Sequence, residues 1–178
     1  MSRRRGALWR LLSVVWTGAI LFLAAQEGGK SHSLSTGLAR LFGELLHPDF
    51  AAWRADVQAE WIGGVEELLR KLAHYFEFAI LGALVFLALS ALGRSLKSRK
   101  PGKPSQCAFM AFYISAMIAT ASEVLQLSAA NRHAGAMDVA LDCLGIISGI
   151  LFLLFKTKRR ENAPSGEATN AVSQRRKG

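Results

Sequence analysis

Four long apolar runs divide the chain: Leu8 to Ala25, then about residues 72–93, 107–127 and 136–155. A helix needs about 20 mostly apolar residues to cross a hydrocarbon core of about 30 Å, so each run predicts a membrane span. Residues 26–70 are more polar. Within them Leu34, Leu38, Leu41, Phe42, Leu45 and Leu46 recur at helical spacing until His47-Pro48 ends the pattern. A second short helix is expected with Asp49 as its N-cap, carrying Phe50, Trp53, Val57 and Trp61 on one face before Gly63-Gly64. Two such helices suit the outer membrane–water interface, or a small cap packed on the spans. Pro101 and Pro104 break any helix between the second and third runs. The predicted fold is an all-α membrane protein, a four-helix transmembrane bundle with amphipathic interfacial helices on the outer face. Residues 1–7 form a basic N-terminus, 8–155 the transmembrane domain, and 156–178 a basic tail expected to be disordered.

Composition sharpens this picture. Of 178 residues 51% are apolar, and 22 Lys+Arg against 13 Asp+Glu give a formal charge of +9. The apolar and basic residues are segregated along the chain, which excludes a disordered chain and a disulfide mini-domain. The same segregation argues against nucleic acid as the partner of the basic residues. Cys107 and Cys143 border or lie within apolar runs and are expected to pack as small apolar residues. With both termini inside, 16 Lys/Arg fall on the cytoplasmic side and six on the other. Positive charge favours the cytoplasm, so the termini and the 94–105 connection are expected there, where the basic tails meet anionic lipid. The first run, with Arg3–Arg5 before it and Leu23-Ala24-Ala25 at its end, also has the features of a cleavable secretory signal.

The charges within the spans fall at one depth. Phe78 to Leu92 is only 15 uncharged residues, about 22 Å of helix, so the second span extends back through Glu77 and His74. The third meets Glu123 and Gln126 at its end, and the fourth is preceded by Asp138 and Asp142. Arg70, His74 and Glu77 are spaced i, i+4, i+7, Glu123 and Gln126 i, i+3, and Asp138 and Asp142 i, i+4, each set on one helix face. Arg132 lies in the short connection between the last two spans. Ionisable groups in a bilayer are costly and usually face a protein interior or a wet cavity. One polar pocket facing outward is therefore expected. Gly145 and Gly149 add a small-xxx-small pair for close helix packing.

The stretch Arg70-Lys71-Leu72-Ala73-His74-Tyr75-Phe76-Glu77 resembles the Arg-Lys-x-x-His-x-x-Glu signature of VanZ-like membrane proteins. Glu123 and Gln126, followed by Asn131-Arg132, Asp138-Val139 and Gly145, are similar to that family's second signature, and Ala25-Gln26 with Ser31 and Ser35 to its Ser-rich stretch. The resemblance covers roughly residues 8–155. Ser122 stands where the family has Asp, Leu125 where it has His, and Ala130-Asn131 where it has Pro-Gly. A mechanism needing two adjacent carboxylates or that second His is thereby put in doubt. The resemblance implies a multi-pass protein of the bacterial cytoplasmic membrane, in a family associated with teicoplanin resistance and without a settled biochemical activity.

Three readings remain open. Arg70, Lys71, His74, Glu77, Glu123, Gln126, Arg132, Asp138 and Asp142 could form a ligand-binding pocket for the polar head group of a membrane lipid or lipid-linked cell-wall precursor. In it Arg70, Lys71 and Arg132 would contact phosphate, and the carboxylates sugar or amine groups. The same groups could instead serve an intramembrane hydrolase or transferase, by metal or acid–base chemistry, although the cluster holds one histidine. The third reading is a purely structural network. No catalytic residue, cofactor or metal is assigned from the sequence, which lacks a phosphate-cradling Gly-rich loop, a Gly-x-Ser-x-Gly elbow and a Cys-x-x-Cys pair. His32, His47 and His133 are expected at the surface, and homo-oligomerisation is left open.

Overall fold

The computed structural model describes residues 3–25, 29–95, 103–128 and 136–161. Among them are five α-helices and no strand: α1 (Arg3–Ala24), α2 (Gly29–Leu46), α3 (Ala55–Ser95), α4 (Pro104–Ser128) and α5 (Ala136–Glu161), with a short 3-10 turn at Phe50–Ala52 between α2 and α3. Four of them are long and apolar enough to cross a membrane, over Arg4–Ala24, Ala55–Leu92, Pro104–Leu127 and Met137–Arg159. The expected spans and the helix ending at His47-Pro48 are therefore present. The basic tail beyond residue 161, most of the 94–105 connection, and Arg132 and His133 lie outside the described residues.

One expectation is corrected. Asp49 stands before the 3-10 turn, its side chain caps nothing, and no separate helix ends at Gly63-Gly64. Instead α3 starts at Ala55 and runs unbroken for 41 residues, about 60 Å, roughly twice the hydrocarbon thickness. Two glycines cost a helix interior only about 1 kcal/mol each, too little to stop a helix braced by tertiary contacts. The brace is visible. Glu66 of α3 accepts a hydrogen bond from Thr36 Oγ1 of α2, and Gln58 Nε2 donates to the Phe50 carbonyl at 2.7 Å. Phe50 is buried against Gly43, where a Cβ would come within 2.7 Å of its ring. His47, Phe50, Trp53 and Trp61 thus form one ring cluster joining α2, the turn and α3, with centroids 4.9–5.9 Å apart.

The bundle is inside-out relative to a water-soluble one. Leu11, Val14, Val15 and Phe22 of α1, Met117 of α4 and Phe152 of α5 point outward. The buried positions are Phe78, Leu81, Val85 and Phe86 of α3, Ala111 and Ala119 of α4, and Ile146 and Ile150 of α5, with Ile20 of α1. In lipid, apolar burial gives little drive for helices to associate, so close backbone packing becomes the main source of attraction. That packing is tightest between α3 and α5. A Cβ on Gly149 would overlap the Ala79 carbonyl oxygen, one on Gly145 the Tyr75 carbonyl oxygen, and one on Gly82 would lie 2.8 Å from the Ile146 carbonyl oxygen.

Because residue 145 meets 75 and 149 meets 79, α3 and α5 run parallel. Gly6 lies against Ala91, and the Trp16 indole N–H donates to the Glu77 carbonyl at 3.0 Å, so α1 runs antiparallel to α3. An apolar groove lined by Ala108, Phe112, Ile150 and Leu154 sits between the start of α4 and the end of α5, so these two are antiparallel as well. The topology is up–down throughout, and it puts the end of α4, the start of α5 and the middle of α3 at one level.

Gly149→Ala is expected to lower stability by about 1–3 kcal/mol, since the obstructing atoms are backbone. Gly63→Ala, where a Cβ meets nothing within 4 Å, should be neutral or raise it by up to about 1 kcal/mol. Thermal unfolding of both variants in mild detergent checks the pair.

Candidate functional site

The inward face of α4 is a stripe of small and polar residues: Ala111, Ser115, Ala119, Ser122, Glu123 and Gln126 are all buried. Small side chains let α3 and α5 come close along most of that stripe. Its last turn then delivers two long polar groups to the junction. From α5 comes Asp142, on the same face as buried Ile146 and Ile150, and from α3 comes His74, one turn before buried Phe78.

At this junction His74 Nδ1 lies 3.6 Å from Asp142 Oδ1. His74, Glu123 and Asp142 each offer a ligand atom within 4.8 Å of the other two. Gln126 Nε2 donates to Glu123 Oε1 at 3.3 Å, orienting that carboxylate from one turn further along α4. The imidazole stacks over Phe78, with ring centroids 6.5 Å apart and planes 12° from parallel. Burial is steep: Asp142 is 0% exposed, Glu123 5% and Gln126 6%, while the His74 side chain keeps 19%. His74 is the member closest to the surface.

Neither oxygen of Asp142 has a hydrogen-bond partner among the described residues. Its 3.6 Å approach to His74 is too long for a hydrogen bond. Glu123, Asp138 and Glu77 add negative charge around it. A buried polar group without partners costs on the order of 1–3 kcal/mol, and more if charged. Such an arrangement is poor structural glue and an apt ligand site.

The sequence-predicted residues thus separate by place. His74, Glu123, Gln126 and Asp142 are together in the buried junction. Asp138 and Glu77 are half-buried nearby, the latter with its carbonyl held by Trp16. Arg70 and Lys71 are exposed on α3 about one turn from His74, and Lys71 pairs with Glu67 at 2.7 Å. That pair is solvent-exposed and weakly held, so Lys71 is easily exchanged to another anion. Arg132 lies outside the described residues. Both cysteines are free. Trp16 escaped the sequence reading because an indole in an apolar run looks like any other apolar residue.

A model of the VanZ/LLP1 family matches residues 9–157, which takes in all five helices almost entirely. The chain belongs to the VanZ/LLP1 family. No curated protein and no solved structure matches it. The matched region includes every residue of the VanZ/LLP1 junction described above, so the polar cluster lies within the family's domain rather than on an appendage.

Asp142→Asn and Glu123→Gln keep side-chain shape while removing a buried carboxylate. In the presence of chelator each is expected to raise the thermal midpoint by about 2–4 °C, corresponding to about 1 kcal/mol in a chain of this size. A structural network would lose stability instead, which thermal unfolding reads directly.

Proposed function

We propose that this VanZ/LLP1 protein binds the polar head group of a lipid-linked or lipid-anchored molecule at the cell envelope, and thereby affects susceptibility to glycopeptides such as teicoplanin. The observation that carries this reading is the convergence of polar groups from α3, α4 and α5 at one level of a bundle otherwise lined by apolar and small residues. Polar groups at that depth would be removed by selection for stability alone. The excess of Lys/Arg on the segments at the other end supports an orientation with the termini in the cytoplasm and the junction toward the outer leaflet.

The chemistry divides by position. Arg70 and Lys71, exposed on α3 beside the junction, together with Arg132, supply phosphate contacts: the Arg forks match two oxygens and Lys adds a point charge. His74, at the edge of the buried set, meets the head group first. Glu123, held by Gln126, and half-buried Asp138 and Glu77 offer acceptors to hydroxyl or amine groups. The apolar tail stays in the bilayer against the outward-pointing side chains of the bundle.

Native mass spectrometry of protein released from mild detergent tests this, with a polyprenyl-phosphate-linked sugar as the probe. The wild type is expected to retain one lipid adduct, weakened at least tenfold in Arg132→Ala and in Glu123→Gln. Equal retention by all three proteins would contradict the reading.

A further inference from the structure

We infer that His74, Glu123 and Asp142 form a binding site for one first-row divalent metal ion, of the kind exemplified by zinc or manganese. This goes beyond the head-group reading and stands without it. The three donors come from three helices, and no two of them are close in sequence. A tetrahedral ion with bonds of about 2.1 Å holds its ligands about 3.4 Å apart. The three donor atoms already lie within 4.8 Å of one another, and the His74–Asp142 pair is at 3.6 Å. Side-chain rotations of about 1 Å close the set around an ion.

Two further observations point the same way. Asp142 is wholly buried, neither of its oxygens has a hydrogen-bond partner among the described residues, and one of them lies within 4.8 Å of a donor atom of His74 and of Glu123. A cation placed between them supplies the missing counter-charge. Glu123 is in turn oriented by Gln126, as metal-bound carboxylates are commonly held by outer hydrogen bonds. One imidazole with two carboxylates is a mixed nitrogen–oxygen set suited to zinc, manganese or iron(II) rather than to calcium, which takes six to eight oxygens. Three protein ligands leave coordination positions open to water or to a ligand oxygen. A bound divalent ion offsets the charges of the Glu123 and Asp142 carboxylates and offers its open position to a ligand oxygen.

The test uses full-length protein in detergent, free of any histidine tag and of added lipid, stripped with chelator. It is titrated with Zn²⁺ and separately with Co²⁺, with bound metal measured by inductively coupled plasma mass spectrometry. One equivalent is expected, with visible cobalt absorption of a low-symmetry site. The cobalt complex should lack thiolate charge-transfer bands, since no cysteine is among the donors. Asp142→Asn and Glu123→Gln should each weaken binding by about 100-fold and Gln126→Leu by about tenfold. The thermal midpoint of the wild type should rise with metal and that of Asp142→Asn should not. Less than 0.2 equivalents on the wild type, about the background expected of surface sites, or undiminished binding in a folded Asp142→Asn, would overturn the inference. Should the variants fail to fold, thiolate bands in the wild-type cobalt spectrum would overturn it and a purely nitrogen–oxygen spectrum at one equivalent would uphold it.

Discussion

Backbone contact between α3 and α5 is the constraint on which the rest of this structure depends. Gly145 and Gly149 lie against the carbonyls of Tyr75 and Ala79, and Gly82 against that of Ile146, so the two helices run parallel with almost no side-chain layer between them. Such an approach fixes more than distance. Because the contacts recur at 75 with 145 and 79 with 149, the register between the helices is set to within a residue. That register places Asp142, one turn before Gly145, beside His74, one residue before Tyr75. The small stripe of α4 then admits a third helix, whose end brings Glu123 to the same point.

The cluster is costly by the rules that govern the rest of the bundle. Apolar side chains face lipid, small ones face one another, and the backbone is satisfied within the helices. Against that background, two buried carboxylates bring like charges together beside an imidazole in a low-dielectric place. Trp16 and Gln126 illustrate how neighbours hold the site in shape: the first ties α1 to the Glu77 carbonyl, the second fixes Glu123. A bundle organised for stability alone would put Leu or Ala at 123 and 142, as it does at Ala119 and Ile146. On the reading proposed, these polar residues are retained for what they bind.

Much of this was legible in the amino-acid sequence, for physical reasons. Span length is dictated by bilayer thickness, so the runs at α1, α4 and α5 could be counted, and charge asymmetry suggested their orientation. The shared depth of His74, Glu123 and Asp142 followed from where each apolar run is interrupted. Other features were not legible. Gly63-Gly64 reads as a break, yet α3 continues through it, because contacts from α2 and the Phe50 turn outweigh a modest local cost. Sequence spacing could not tell whether Asp138 or Asp142 would meet His74, since either lies on the same face of α5. The choice is made by the α3–α5 register, a property of glycines several residues away. Nor could the spacing show that Arg70, on the same stripe as His74, is exposed while His74 is not.

The central claim is that side chains from separate helices act as one unit, and a double-mutant cycle tests it most directly. Metal-free stability would be measured for wild type, His74→Gln, Asp142→Asn and the double variant under identical detergent conditions. Groups in contact across α3 and α5 predict a coupling of about 0.5–3 kcal/mol between the two substitutions. Additivity to within about 0.3 kcal/mol would mean that the two residues do not meet, and would contradict the account.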